Sequence, residues 1–298
     1  MFVTKLPEGN YLFVHYGYGP NHQPQLSLLP EDGERFTHFE PQGQAFTLSF
    51  DAATRYCGGW HDLASAESFP CPDAAELPDQ YDQCRHCQQK TGFNPAFYNA
   101  TSVSTQQQAR NAQPHILYLA HFAPGVVKVG ISWEQRGIRR LLDQGARSAL
   151  IIKAYPTAEV ARQYEAKTAA LPGIAETLQV RQKHQYLKRP YDAEAGADEL
   201  RATRQRLIHE VSLTPDDNNP LYLDNYYLSG NPLHPQDLVD ITEHTISGSC
   251  IGMIGSVLVV EQDGLQYSLP LSKLTGYRMT LNYGVTKNQA APHQASLF

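Results

Sequence analysis

The sequence predicts an α+β protein in which a strand–strand–helix–strand–helix core is flanked by β-rich segments and accompanied by a zinc-ribbon-like site. Three observations predict it. Period-two alternation of apolar residues appears near both ends, as in Tyr11-Leu12-Phe13-Val14 and Ala45 to Phe50, and returns over residues 246 to 283. Between them, His115 to Glu165 alternates short apolar strands with helical patterns. Four of the five cysteines crowd into residues 51 to 99, where regular patterns are sparse.

Each element has a local reason. His115 to His121 and Val126 to Ser132 form a hairpin around Ala123-Pro124-Gly125. An arginine-rich helix follows, and Ala149 to Tyr155 supplies a third strand. Thr157 is an N-cap for a helix over Ala158 to Leu171, stopped by Pro172-Gly173. A further helix runs from about Ala197 to Val211. Residues 101 to 113 are polar and low in complexity and read as a linker. The expected parts are 1–110 (β-rich, with the cysteine site), 111–195 (the core), 196–286 (a helix and a small β segment) and 287–298 (a mobile tail).

The chain has 298 residues, 41% hydrophobic and 18% charged, the profile of a globular protein large enough for two or three small domains. The apolar run from Cys250 to Val260 is too short and too Gly-rich to span a bilayer, and the N-terminus lacks a signal-peptide core. A cytoplasmic protein without a membrane partner is expected.

Cys57, Cys71 and the turn Cys84-Arg85-His86-Cys87 have the spacing of a four-thiolate site. A CxxC turn offers two thiolates to one tetrahedral ion, and two distant cysteines close the shell, so structural zinc is expected. Such a site has no open position and contributes folding energy rather than catalysis. A redox CxxC pair needs a βαβ context that is missing here. His61 and His86 are weaker ligand candidates, and Cys250 reads as a small core residue.

The formal net charge of −6 argues against a polyanionic partner, but its distribution does not. Pro114 to Pro190 holds 12 Lys and Arg against 5 Asp and Glu. A basic module in an acidic chain marks a local polyanion site, or a solvated helix face.

The order Tyr118, Lys128-Val129-Gly130, an arginine-rich helix and a helical Glu165 resembles the core of the GIY-YIG nuclease superfamily. The resemblance implies a β-β-α-β-α core acting on nucleic acid, DNA more than RNA. Tyr118 takes the place of the water-orienting tyrosine and Lys128 that of the second tyrosine. Gly130 allows close approach of backbone and substrate. Arg140 is the first choice for the phosphate-contacting arginine, with Arg136 and Arg139 as competitors. Glu165 corresponds to the carboxylate that binds Mg²⁺ or Mn²⁺. A downstream asparagine of the superfamily has no clear counterpart; His184 and Gln185 stand nearest. More loosely, the whole chain resembles a bacterial family of undefined activity that combines a cysteine-rich segment (Cys84 to Cys87), an Arg-x-x-Asp-Gln-Gly-Ala block (Arg140 to Ala146) and a C-terminal Gly-x-x-Gly (Gly252 to Gly255).

The last five residues resemble the bacterial sliding-clamp-binding motif. Gln294 would supply hydrogen bonds, and Leu297 and Phe298 would fill an apolar pocket. Three readings follow: a clamp-tethered, divalent-metal-dependent endonuclease of replication or repair, a catalytically inactive nucleic-acid-binding adaptor, and an RNA-acting enzyme on the same core.

Overall fold

The computed structural model describes residues 5–63, 65, 67–78, 81–92, 103–216, 219–228, 232–241 and 243–288. Gln294, Leu297 and Phe298 lie outside the described residues. The architecture is mixed α+β, in two compact units. One is drawn from Met1–Asp62, Glu67–Lys90 and Tyr227–Phe298, the other from Leu63–Ala66 and Thr91–Tyr226.

The first unit begins with β1 (Gly9–Tyr18), β2 (Pro24–Pro30), β3 (Thr37–Phe39) and β4 (Ala45–Arg55). A short ribbon of β5 (Trp60–His61) and β6 (Ser68–Phe69) follows, then helix α1 (Arg85–Thr91). Alternate residues of β2 are buried, as a strand with one covered face requires.

The second unit contains α2 (Thr105–Asn111), β7 (His115–Ala123), β8 (Val126–Trp133), α3 (Arg139–Gln144), β9 (Ser148–Tyr155) and α4 (Ala158–Ala169). It continues with β10 (Ile174–Ala175), α5 (Val180–Tyr186), α6 (Ala193–Glu210), β11 (Leu221–Tyr222) and α7 (Asp224–Tyr227). The stretch expected to be a linker contains a helix instead: the Ser104 side chain accepts from Gln107 N and caps α2. Thr157 caps α4 as its sequence position suggests, accepting from Val160 N at 3.3 Å.

The strand order in this unit is β10-β8-β7-β9-β11, with β7 antiparallel to both β8 and β9. Leu117, Leu119, Val127, Val129, Leu150 and Ile152 meet Ala161 of α4 and Leu200 and Leu207 of α6 in one buried core. Side chains alternate along a strand, so Tyr118, Ala120, Lys128 and Gly130 occupy the other sheet face. Tyr118 pairs with Gly130 and Ala120 with Lys128.

The chain then returns to the first unit through β12 (Leu238–Asp240), β13 (Thr245–Ile254), β14 (Val257–Gln262), β15 (Leu265–Pro270) and β16 (Tyr277–Asn282). These strands interleave with the early ones in a nine-stranded sheet, β12-β15-β14-β13-β4-β16-β1-β2-β3. Its core includes Phe13, Leu26, Phe39, Phe46, Leu48, Met279 and Leu281. Asn288 is buried against β13, exchanging side-chain hydrogen bonds with the Ser247 backbone at 2.8 and 2.7 Å. No described helix is long and apolar enough to cross a membrane.

Candidate functional site

Two places in the molecule gather chemistry-bearing side chains. The first is the cysteine cluster. Cys57 follows β4, Cys71 follows β6, Cys84 immediately precedes α1, and Cys87 lies in the first turn of that helix. Their four sulfurs lie within 4.8 Å of one another, and Cys71 Sγ is 3.8 Å from Cys84 Sγ. A tetrahedral ion with Zn–S bonds of ~2.3 Å separates its sulfurs by ~3.8 Å, whereas a disulfide holds them at ~2.05 Å. The cluster can therefore hold a metal ion and is compatible with structural zinc. The Cys84 backbone N–H points at Cys57 Sγ at 3.3 Å and that of Cys87 at Cys84 Sγ at 3.5 Å, an arrangement that favours thiolates. Burial pushes the Cys57 and Cys87 thiols up when no cation is present. His86 turns instead to Asp73 (2.9 Å) and His61 Nδ1 lies 3.1 Å from Ser68 Oγ, so neither joins the cluster. Cys250 is buried in β13, apart from the other four.

The second place is the polar face of the β7–β8 hairpin. Tyr118 is fully buried. Burial pushes its phenol up, and nearby Arg140 partly offsets this. Arg140 approaches without hydrogen-bond geometry, and the buried Oη has no partner among the described residues. Lys128 is also buried and donates to the Val129 carbonyl at 2.9 Å. Burial lowers its pKa, with Glu165 opposing and Arg140 reinforcing the shift. Glu165, buried on α4, accepts from Arg162 Nη1 at 2.5 Å. Arg162 Nη2 in turn meets Glu176 at 2.5 Å.

Tyr118, Lys128, Arg140 and Glu165, spread over 48 positions of sequence, are thus within electrostatic reach of one another. Arg136 is exposed and engages Asp143 at 2.6 Å, and Arg139 is exposed. Gly130 is approached closely by the Tyr118 ring itself: a Cβ there would fall 2.5 Å from Cζ and closer still to Oη. The Arg140 to Ala146 block has a structural part as well. Gly145 ends α3 with φ of 73°, and Ala146 N bonds back to the Leu141 carbonyl.

Sequence reasoning missed two participants. Arg162 looks like any surface arginine until Glu176 is seen beside it. Lys183 lies on α5, next to His184, and donates to Gln144 Oε1 at 2.9 Å over the ring of Phe122. Burial, Lys128 and Arg140 push it down to about 8. The i, i+3 spacing of Arg162 and Glu165 was the only available signal for the first; for Lys183 there was none.

On the opposite sheet face a third polar group ties elements together. His121 Nε2 lies 3.0 Å from Glu199 of α6, and its Nδ1 lies 3.3 Å from the Tyr191 hydroxyl. That hydroxyl is 2.8 Å from Ser148 Oγ. Arg147 lies over the Tyr191 ring and forms a bidentate pair with Asp224 at 2.5 and 2.6 Å. Gly196 gives this cluster room, since a Cβ there would lie 2.8 Å from His121 Nδ1.

No curated protein matches the chain, and no solved structure does. A family model described as "Protein of unknown function (DUF2797)" matches residues 75–279, well over half of the chain; the match takes in the second place and, of the cysteine cluster, Cys84 and Cys87. The chain belongs to the DUF2797 family.

Proposed function

We propose that the second unit carries a GIY-YIG-like site for nucleic-acid phosphate, and that the protein acts on DNA in replication or repair. The observation that carries this is the electrostatic proximity of Lys128 and Arg140 to Tyr118 and Glu165. A partly buried cation group with few carboxylates favours an anion that supplies the missing negative charge. Lys128 and Arg140 would hold the phosphoryl oxygens. In the hydrolytic form of this reading, Glu165 would hold Mg²⁺ or Mn²⁺, which would supply Lewis-acid help, and Tyr118 would orient the attacking water. The four cysteines hold structural zinc. Gln294, Leu297 and Phe298 tether the protein to the bacterial sliding clamp.

A non-hydrolytic reading has its own support. The Tyr118 hydroxyl is sealed from solvent, and Glu165 is already engaged by Arg162. An adaptor that binds DNA without cutting needs neither group free. Nicking of branched and single-stranded DNA with added Mg²⁺ or Mn²⁺ separates the two. In the hydrolytic case Glu165→Ala abolishes cutting and preserves binding. The adaptor binds equally well without added divalent ion and never cuts. The tether is tested by calorimetry against a sliding clamp, with a chain lacking Leu297 and Phe298 as control; unchanged binding would refute it.

A further inference from the structure

We propose that Lys183 completes a three-cation cradle with Lys128 and Arg140 that selects a terminal phosphomonoester of DNA over the internal phosphodiester. The proposal rests on the phosphate-site reading and narrows its substrate to strand ends.

The geometry begins with α3. Arg140 and Gln144 are four residues apart and share a helix face, and Gln144 holds the Lys183 ammonium at 2.9 Å. Lys183 is thereby fixed beside Arg140 rather than extended into water. Lys128, from the sheet, is buried and has one carbonyl partner.

Charge decides the ligand class. Among the described residues, four cations, Lys128, Arg140, Arg162 and Lys183, and two carboxylates, Glu165 and Glu176, stand around the site. Both carboxylates are bound to Arg162. The more distant Arg136 is matched by Asp143. Two positive charges are left over. An internal phosphodiester brings one negative charge, whereas a phosphomonoester brings ~1.5 to 2 near neutral pH and a third strong acceptor oxygen. Burial disfavours the Lys183 charge most, and Lys128 and Arg140 add like-charge crowding, which a dianion relieves more than a monoanion does.

The test is fluorescence anisotropy of the full chain with labelled single-stranded and nicked DNA, carrying a 5′-phosphate, a 3′-phosphate or only hydroxyl ends. One phosphorylated form is expected to bind at least ~10-fold tighter than the hydroxyl form, about the effect of one added charge-assisted hydrogen bond. Lys183→Met should erase that difference, and Lys183→Arg should retain most of it. Matched melting curves confirm that both variants fold. Equal affinity for all ends overturns the cradle while leaving the phosphate-site reading intact. Failure to bind any of the DNAs overturns both. If inorganic phosphate competes as strongly as an unlabelled phosphorylated strand, the ligand is a free phosphoryl group, and the strand-end proposal is overturned.

Discussion

Tyr118 and Gly130 are cross-strand partners, and the tyrosine ring fills the space in which any side chain at 130 would begin. The glycine of the Lys-Val-Gly sequence is therefore required by its own fold, whatever else approaches it. Gly130→Ala should destabilise the protein by ~1–3 kcal/mol in urea unfolding, the usual cost of overpacking. Combining it with Tyr118→Leu should cost less than the sum of the single changes, because the two share one space. Simple additivity would mean that they do not collide.

The Tyr118 hydroxyl is buried without a hydrogen-bond partner among the described residues, which costs about 1–3 kcal/mol relative to a satisfied group. Tyr118→Phe should thus leave stability unchanged or raise it by about 1 kcal/mol. A hydroxyl retained against stability has a use elsewhere, so the same variant should lose DNA cleavage or weaken DNA binding. Reduced stability with unaltered activity would make the phenol a packing group.

Metal removal should act on the first unit. One zinc per chain is expected by elemental analysis, and Cys57→Ser or Cys87→Ser should lower that ratio sharply. Loss of a structural metal ranks with the most destabilising single changes, at over ~4 kcal/mol. The readout is calorimetric melting with and without a strong chelator. An unchanged melting profile in metal-free protein would show that the four thiols pack without an ion.

His121 gives a pH dependence of defined sign. Burial lowers its pKa below the ordinary 6.5, with Glu199 partly opposing and Arg147 reinforcing the shift. Between the lowered value and 6.5 the unfolded chain takes up a proton that the folded chain refuses. Stability is therefore full above 6.5 and falls as the pH drops below it. His121→Gln, which can keep a hydrogen bond to Glu199, should flatten this part of the urea-midpoint profile. An identical slope in the variant would assign the acid sensitivity to other groups.

Lys183 gives a second dependence, on binding. Its pKa is pushed down from 10.5 to about 8, so the free protein loses this charge as the pH rises through that value. DNA affinity should fall across the same window, and Lys183→Arg should remove the fall because arginine keeps its charge.

Much of the second unit was legible in the chain. The strands of the hairpin, the third strand and the Thr157 cap follow from period, turn residues and capping chemistry, all local properties. The cysteine cluster was legible because ligand spacing is a chemical constraint. The nine-stranded sheet was not: β4 lies between β13 and β16, and nothing near Ala45 to Arg55 names partners some 200 residues away. Helix α2 was hidden by a polar, glutamine-rich composition in which the Ser104 cap was the only signal. Arg162 and Lys183 were hidden because their meaning lies in Glu176 and Gln144, which tertiary structure alone brings to them.

The central claim is that Lys128 of β8 and Arg140 of α3 form the place where DNA phosphate binds. The most direct measurement is DNA affinity, by anisotropy at fixed salt, for the native protein, Lys128→Met, Arg140→Met and Arg201→Met. Arg201 is an ion-paired residue on α6 and serves as the control. The two site variants should each lose about tenfold in affinity, one charge-assisted contact apiece, while the control binds as the native protein does. Equal losses in all three variants would reduce the site to general surface charge, and no loss in any would remove it from DNA binding altogether.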